Sequence, residues 1–173
     1  MALIRWLLID GVGMTKVALG IVDALLYVHS RKVIHRDIKP KNVLMFGTIG
    51  DAIIAKIADF GVSKLIEMAV MTHTRVGQDL YMAPEVKLNT KYGFAADIYS
   101  LAMTLFEMFN EQLVMKASDE VKHFIAEVQR GQRGSIPKSC KVPDHLRSVI
   151  ERGWEDDPTK RPTLSDYYSV LNG

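Results

Sequence analysis

The sequence predicts an α+β protein that is predominantly α, with one small antiparallel strand pair. Apolar residues recur at helical spacing over residues 15–29 and cover most of a helix circumference over residues 94–109. Two short runs rich in apolar and β-branched residues, 43–45 and 53–57, are separated by glycines. At 173 residues the chain has the size of one ordinary domain with a single core.

The elements are expected in the following order. The first helix should begin at Thr15, a plausible N-cap after the turn-rich residues 10–13, and end near His29, with one face buried. Residues 33–34 then extend into a polar loop, which the strand pair flanks. Residues 62–82 show no clear period and suggest a long functional loop. The chain turns helical again after Pro84, and further helices are predicted over residues 94–109, 120–130, 143–154 and 163–171.

Charge and composition exclude several classes of function. The net charge is +2 with 24% charged residues of both signs, which is not the dense basic field that non-specific nucleic-acid binding needs. The apolar run at residues 6–9 is too short for a signal peptide, and no uninterrupted run approaches the roughly 18 residues that span a bilayer. The only cysteine, Cys140, cannot form an internal disulfide. We therefore expect a cytoplasmic protein without nucleic-acid or membrane partners, and a cysteine that is inert.

Residues 35–42 read HRDIKPKN and gather a carboxylate, three cationic side chains and an amide within one short loop. Isolated aspartates usually lie in turns and isolated lysines in solvent, but here the order of several motifs argues against those interpretations. DFG follows at residues 59–61 and APE at residues 83–85. In this order and spacing, the three motifs resemble the catalytic loop and activation segment of a protein kinase catalytic domain.

The resemblance implies phosphoryl transfer from ATP, with Mg²⁺, to a protein hydroxyl. Asp37 would accept or orient the proton of the substrate hydroxyl, and Lys39 would neutralise charge on the transferred phosphoryl group. Asn42 and Asp59 would hold magnesium, which prefers hard oxygen ligands and keeps several waters. Asp37, Lys39 and Asn42 are thus the implied catalytic residues, and Lys39, Asn42 and Asp59 the residues that bind Mg-ATP.

Supporting roles follow from the same resemblance. His35 is expected to be a core histidine that supports the loop, because the family gives proton handling to Asp37. Arg36 would pair with a phosphate added to the activation segment, residues 59–85. The candidate phosphorylation sites are Thr72 and Thr74, with Ser63 as a weaker candidate.

Two further contacts are implied away from the loop. Glu85 and Arg161 would form a buried ion pair that anchors the activation segment to the late helices. Asp97, on the predicted central helix, would steady the backbone of the catalytic loop. A surface aspartate is the alternative for Asp97, and the apolar residues around it argue against that alternative.

The motifs also bear on the subgroup and the acceptor. Trp154 and the run that ends in Arg161 and Pro162 resemble the end of the domain in tyrosine-kinase-like serine/threonine kinases. Lys39, two residues after Asp37, favours serine or threonine over tyrosine as the acceptor. Gln78 occupies a position where the family usually has threonine, so the acceptor stays open.

The resemblance covers the larger, helical C-terminal lobe of the family's fold, with the catalytic loop at 35–42, the activation segment at 59–85 and the late helices over 94–173. Residues 11–20, GVGMTKVALG, resemble a glycine-rich loop only superficially, because no third glycine closes the loop and Gly20 stands where a strand lysine is needed. We therefore expect residues 1–173 to be a truncated kinase domain, without the N-terminal lobe and incompetent alone. The exposed lobe interface would then need a covering protein. The alternative is an inactive kinase-like binding or scaffold module.

Overall fold

Six α-helices and two strand pairs are found in the computed structural model, which describes residues 9–47, 53–60, 64–65, 80–88, 90–110, 118–132 and 134–173. The helices are α1 Gly11–Ser30, α2 Pro84–Lys87, α3 Ala95–Phe109, α4 Asp119–Gln129, α5 Asp144–Gly153 and α6 Leu164–Asn172. The strands are β1 Val33–Ile34, β2 Val43–Phe46, β3 Ile54–Ile57 and β4 Lys64–Leu65. The predicted mostly helical character is confirmed.

Helix α1 begins four residues earlier than the sequence suggested. Asp10 is its N-cap, with a side chain that accepts a hydrogen bond of 2.7 Å from the backbone N–H of Gly13. Thr15 lies inside the helix, where its hydroxyl donates to the carbonyl of Gly11. The expected start at Thr15 was wrong because Gly13 serves close packing: a Cβ there would lie 2.5 Å from Ile9.

The buried face of α1 forms one side of the core. Its residues with no exposed surface are Val17, Ala18, Ile21, Val22 and Leu25. The helix packs against β3 and α6, and a Cβ at Gly20 would lie 3.1 Å from the Cβ of Ala55. Length and composition alone would allow α1 to cross a membrane. Its packed apolar face makes it a core helix instead.

Two antiparallel strand pairs adjoin the polar loop, because β1 ends directly before it and β2 begins directly after it. The pair β2–β3 has Val43 opposite Ile57 and Phe46 opposite Ile54, as the sequence indicated. A second pair joins β1 to β4, with Val33 opposite Leu65. The predicted strand pair is confirmed as β2–β3. The second pair was not predicted, and its strand β4 contradicts the expectation of no regular element within residues 62–82. Strands of two residues are too short to produce a detectable period.

Helix α3 is the central element, as predicted, and fourteen of its fifteen residues are buried. It packs against α1 and α5. An aromatic cluster of Phe106, Phe124 and Trp154, with ring centroids 5.6–5.9 Å apart, joins α3 to α4 and the end of α5. The bounds of α3, α4, α5 and α6 agree with the predicted ranges to within one residue.

The end of α5 approaches α3 and α6 more closely than a side chain would allow. A Cβ at Gly153 would lie 2.1 Å from the hydroxyl of Tyr167 and 2.5 Å from the Cβ of Ala102. The Tyr167 hydroxyl donates to the carbonyl of Val149 one turn earlier. Glycine at position 153 therefore lets three helices meet.

Candidate functional site

The loop at residues 35–42 joins β1 to β2 and is closed by a short 3-10 turn, Pro40–Asn42. Asn42 directly precedes β2, and Asp59 comes two residues after β3 ends. Because Val43 lies opposite Ile57, both residues are placed at the same end of the strand pair. The N–H of Ala58 donates to the carbonyl of Asn42 at 2.8 Å, which ties the two chain segments together.

The carboxylate of Asp37 is the most heavily bonded group of the loop. Lys39 Nζ donates to both of its oxygens, at 2.8 Å to Oδ1 and 2.7 Å to Oδ2. Asn42 Nδ2 donates to Oδ2 and to the carbonyl oxygen of Asp37, both at 2.8 Å. A carboxylate has about four acceptor positions, so these contacts leave about one, on Oδ1, for another donor.

Asp97, in the first turn of α3, holds the start of the loop by its backbone. Its side chain has no exposed surface and accepts hydrogen bonds of 2.8 Å from the N–H groups of His35 and Arg36. His29 Nε2 is also 2.8 Å from Asp97 Oδ2. Arg36 has a φ of 69°, in the left-handed region that non-glycine residues rarely adopt. Asp97 thus fixes an unfavourable backbone conformation directly before Asp37.

His35 lies within the core, where its Nδ1 accepts a hydrogen bond of 3.3 Å from the N–H of Asp37. Its ring meets Phe60 edge-on, with centroids 4.6 Å apart. Burial lowers the pKa of His35 below its ordinary value, although the carboxylates of Asp97 and Asp37 act in the opposite direction. The imidazole is therefore neutral at neutral pH, which fits a supporting group.

The donor set for a magnesium ion consists of oxygen atoms. Asn42 commits its amide nitrogen to Asp37, so its Oδ1 is the atom left to bind a cation. Asp59 is exposed and has a φ of 66°. In the described part of the chain, no group of three or more His, Cys, Asp or Glu side chains is placed to hold a metal. One amide and one carboxylate fit an ion that takes its other ligands from phosphate and water.

Glu85 and Arg161 are brought together as an ion pair between α2 and the segment before α6. Arg161 Nη1 and Nη2 donate to the two Glu85 oxygens at 2.6 and 2.8 Å. Arg161 also donates to the carbonyls of Ala95 and Glu155, both at 2.8 Å, and its side chain has no exposed surface. The end of the predicted activation segment is thus joined to the start of α3 and to the chain after α5.

Arg36 makes a contact that the sequence did not suggest: its Nη1 donates to the hydroxyl of Tyr92 at 2.9 Å. Its predicted partner would be a phosphate on the activation segment. The candidates Ser63, Thr72 and Thr74, together with Gln78, lie outside the described residues. Phosphate binding by Arg36 stays a prediction.

Sequence reasoning also missed the contacts that fix Tyr81. The Tyr81 hydroxyl donates to Glu107 Oε2, and its carbonyl accepts from the Ser100 hydroxyl at 2.7 Å. Burial and the nearby Glu107 carboxylate raise the pKa of Tyr81, which keeps its hydroxyl a donor. Ser100 and Glu107 are seven residues apart on α3, the spacing of one helix face, so a buried polar stripe was the available signal.

Cys140 does not belong to the site. It is buried in the core as a free thiol, and burial raises its pKa above the ordinary value. A protonated, buried thiol is a poor nucleophile, in agreement with the expectation that this cysteine is inert.

Comparison with known proteins identifies this arrangement. The family model described as "Protein kinase domain" matches residues 7–170. The chain belongs to the protein kinase family. This kinase domain is 34% identical over 158 residues to serine/threonine-protein kinase STY17 of Arabidopsis thaliana, covering 91% of the chain and 26% of the relative.

Two other relatives have related names. Serine/threonine/tyrosine-protein kinase HT1 of Arabidopsis thaliana is 33% identical, over 90% of the chain and 38% of the relative. The probable serine/threonine-protein kinase roco5 of Dictyostelium discoideum is 29% identical, over 90% of the chain and 6% of the relative. The kinase domain therefore spans only 6% to 38% of the length of these three relatives. The prediction of a kinase of the serine/threonine class is confirmed at the level of the family.

Proposed function

We propose that this kinase domain transfers the γ-phosphoryl group of ATP to serine or threonine hydroxyls of protein substrates. The observation that carries the proposal is the Asp37 carboxylate, which Lys39 and Asn42 hold at 2.7–2.8 Å and which keeps an acceptor position on Oδ1. Phosphoryl transfer requires mainly positioning and charge stabilisation, and this loop supplies both.

Asp37 is the residue that receives the acceptor. A serine or threonine hydroxyl donating to Oδ1 would have its oxygen lone pairs directed away from the carboxylate and towards the phosphoryl group. Because Lys39 bonds both carboxylate oxygens and Asn42 bonds Oδ2, little rotation of the side chain remains. Asp37 then orients the nucleophile and takes its proton as the new P–O bond forms and the bond to the ADP oxygen breaks.

Lys39 carries the positive charge closest to Asp37. Its ammonium group bonds both carboxylate oxygens and its side chain is 15% exposed. A substrate phosphoryl group next to Asp37 would meet this ammonium group at short range, where partial burial strengthens the attraction. Lys39 would thereby reduce the repulsion between the Asp37 carboxylate and the negatively charged phosphates of ATP.

Asn42 Oδ1 and Asp59 are the proposed ligands of magnesium. When bound, Mg²⁺ would offset the negative charge of the ATP phosphates. Asp97 contributes indirectly because it fixes the backbone before Asp37. Together these residues would form one side of a nucleotide site. Asp37 would orient the acceptor hydroxyl, and Asn42 and Asp59 would present their oxygen atoms to the metal ion.

Two finer points belong to the proposal. Serine or threonine is the favoured acceptor because Lys39 follows Asp37 by two residues and because the names of STY17 and roco5 specify serine/threonine kinases. HT1 is named for tyrosine as well. Gln78, which stands where the family usually has threonine, is the residue that we propose could widen the choice of acceptor. We also propose a cytoplasmic location, which suits ATP and protein substrates.

The second candidate function is an inactive kinase-like binding module. It is favoured by the placement of the glycines in GVGMTKVALG: they lie within α1, and Gly20 packs against Ala55. Among the described residues before the catalytic loop, 9–34, no glycine-rich loop is followed by a strand lysine. We propose that the 173 residues alone do not transfer phosphate, and that another protein segment covers the exposed apolar side of the nucleotide site.

The test uses the longest natural polypeptide that carries these residues, with radiolabelled ATP, Mg²⁺ and a mixed protein substrate. Asp37→Asn should lower kcat by about 10²-fold or more, because the base is lost while the size is kept. Asp23→Asn, at an exposed position on α1, is the matched control and should leave kcat unchanged. Phosphoamino acid analysis then identifies the acceptor.

Two results would contradict the proposal. Wild-type protein that transfers no phosphate would favour the binding module, and an Asp37→Asn variant as active as wild type would remove Asp37 from the mechanism. The 173-residue polypeptide is assayed in parallel. If the 173-residue polypeptide transfers phosphate and Asp37→Asn abolishes the transfer, the proposal that these residues alone are inactive is refuted.

A further inference from the structure

His29 occupies a position to which the catalytic loop motif assigns no task. It lies in the last turn of α1, six residues before His35, and its side chain is 12% exposed. Its ring stacks on Phe94 with centroids 4.5 Å apart and an interplanar angle of 27°. Its Nε2 is 2.8 Å from Asp97 Oδ2. The stacking and the hydrogen bond together fix the orientation of the imidazole.

Asp97 depends on its donors because it has no exposed surface. Oδ1 accepts from the N–H of Arg36, while Oδ2 accepts from the N–H of His35 and is shared with His29. A buried carboxylate cannot replace a lost donor with bulk water. Without His29, Oδ2 would keep one of these two contacts, and the carboxylate would be less firmly oriented towards the loop.

The effect on the loop falls directly before Asp37. Arg36 has the left-handed φ of 69°, which is sterically unfavourable for a residue with a Cβ. The hydrogen bond from its N–H to Asp97 compensates for this conformation. A carboxylate that turns away from Arg36 would let the backbone relax and move the following residue, Asp37, out of line with the acceptor.

We propose that His29 is a positioning residue for phosphoryl transfer, acting through Asp97 on the backbone of His35 and Arg36 and hence on Asp37. The inference rests on the proposed function, because it assigns His29 to the same reaction. It couples the end of α1 to the chemistry through a contact between residues 68 positions apart in sequence.

The test compares three replacements in the longest natural polypeptide that carries these residues. His29→Leu removes the donor. His29→Gln keeps an amide nitrogen at the distance of Nε2, and His29→Asn places it too close to the backbone to reach Asp97. We expect His29→Leu and His29→Asn to lower kcat by about 10-fold or more, because small displacements of catalytic groups are costly. His29→Gln should restore most of kcat.

The Michaelis constants separate positioning from general damage. If His29 acts only on the orientation of Asp37, the KM values for ATP and for the protein substrate should stay within about twofold of wild type. His123→Leu, at an exposed histidine on α4 paired with Glu127, is the matched control and should leave kcat unchanged. Equal kcat values for wild type and His29→Leu would overturn the proposal, as would a loss in His29→Leu that His29→Gln does not restore.

Hydrogen exchange gives a readout that does not depend on activity. The N–H groups of His35 and Arg36 are the atoms that Asp97 holds, so His29→Leu should speed their exchange, and His29→Gln should return it towards wild type. If the wild-type protein transfers no phosphate, the proposed function fails, and exchange alone decides the inference. Unchanged exchange at these two amides would then overturn it.

Discussion

His35 shows how burial sets the charge state of a single residue in the loop. Its pKa lies below the ordinary histidine value because burial disfavours the imidazolium. In the unfolded chain, the same group titrates near pH 6.5. Between that value and the lower folded pKa, the unfolded state binds more protons than the folded state. The contribution of His35 to the free energy of unfolding is therefore lost as the pH falls through this window.

Replacement of His35 by asparagine should remove this pH dependence. Asparagine Oδ1 can still accept from the N–H of Asp37, but it does not titrate. Urea unfolding at pH 5.5, 6.5 and 7.5 measures the free energy of unfolding of wild type and His35→Asn. The difference between the two proteins should shrink as the pH falls below about 6.5. Curves that stay parallel across this range would show that His35 is not the titrating group.

Arg161, unlike His35, keeps its charge while buried, because it forms an ion pair with Glu85. Arg161→Met or Glu85→Leu alone should cost about 3–5 kcal/mol of the free energy of unfolding, because the remaining charge is left buried without its partner. The double variant should cost less than the sum of the single variants.

A pair at the surface provides the control for this cycle. Lys122 and Asp119 are 3.6 Å apart on α4, and Asp119 is fully exposed. Lys122→Met should therefore cost less than about 1 kcal/mol. Additive effects of the Glu85 and Arg161 variants in urea unfolding would contradict a coupled buried pair.

At the scale of elements, the close approach of α3, α5 and α6 depends on Gly153. Gly153→Ala should cost about 1–3 kcal/mol, because the new methyl group meets the Tyr167 hydroxyl and Ala102 and both belong to packed helices. Gly11→Ala is the control, since a Cβ at Gly11 meets nothing within 4 Å. That variant should be neutral or slightly stabilising. Equal melting temperatures for the two variants would show that the helices can separate at no cost.

The elements also show what the sequence could and could not predict. The apolar period of α3 and the β-branched runs of β2 and β3 are local patterns, and each located its element to within one residue. The start of α1 was misplaced because Asp10 and Thr15 are both suitable caps. In the fold, Asp10 accepts the capping hydrogen bond from Gly13, and Ile9 packs on Gly13. The pairing of β1 with β4 joins residues about thirty positions apart without a local signal.

The candidate site shows the same division. Asp37, Lys39 and Asn42 lie within one motif, and the structure brings their side chains into contact. Their chemical roles stay predictions. The contacts of Asp97 with His29 and of Arg36 with Tyr92 span 68 and 56 positions, so no spacing rule could point to them. Contacts of this kind arise from the packing of segments that are distant in sequence, which is a property of the folded chain.

At the scale of the whole molecule, the outer face of the strand pair β2–β3 carries three exposed apolar side chains beside Lys56, whose Nζ lies 5.1 Å from the centroid of the Phe46 ring. Leu44, Phe46 and Ile54 are 39%, 47% and 54% exposed, and Phe46 lies opposite Ile54. Single exposed apolar residues are ordinary, but a cluster favours association. This cluster lies on the strand pair that carries Asn42 and Asp59 at its end.

The double variant Phe46→Thr, Ile54→Thr should therefore reduce self-association of the 173-residue polypeptide. Sedimentation velocity over a range of concentrations measures the effect. Leu88→Thr is the control, because Leu88 is 75% exposed directly after α2 and does not belong to the strand pair. Association that persists in the double variant, or that disappears in the control, would assign the contact to another surface.

The packing of α1 against α6 has a consequence for synthesis on the ribosome. The two helices meet in the fold, yet α6 is translated roughly 130 residues after α1. At a translation rate of about 5–20 residues per second, α6 is synthesised on the order of ten seconds after α1. During that time, the part of α1 that α6 covers in the fold is available to chaperones. Slow codons between α5 and α6 would lengthen this interval, so codon choice there should affect the yield of folded protein.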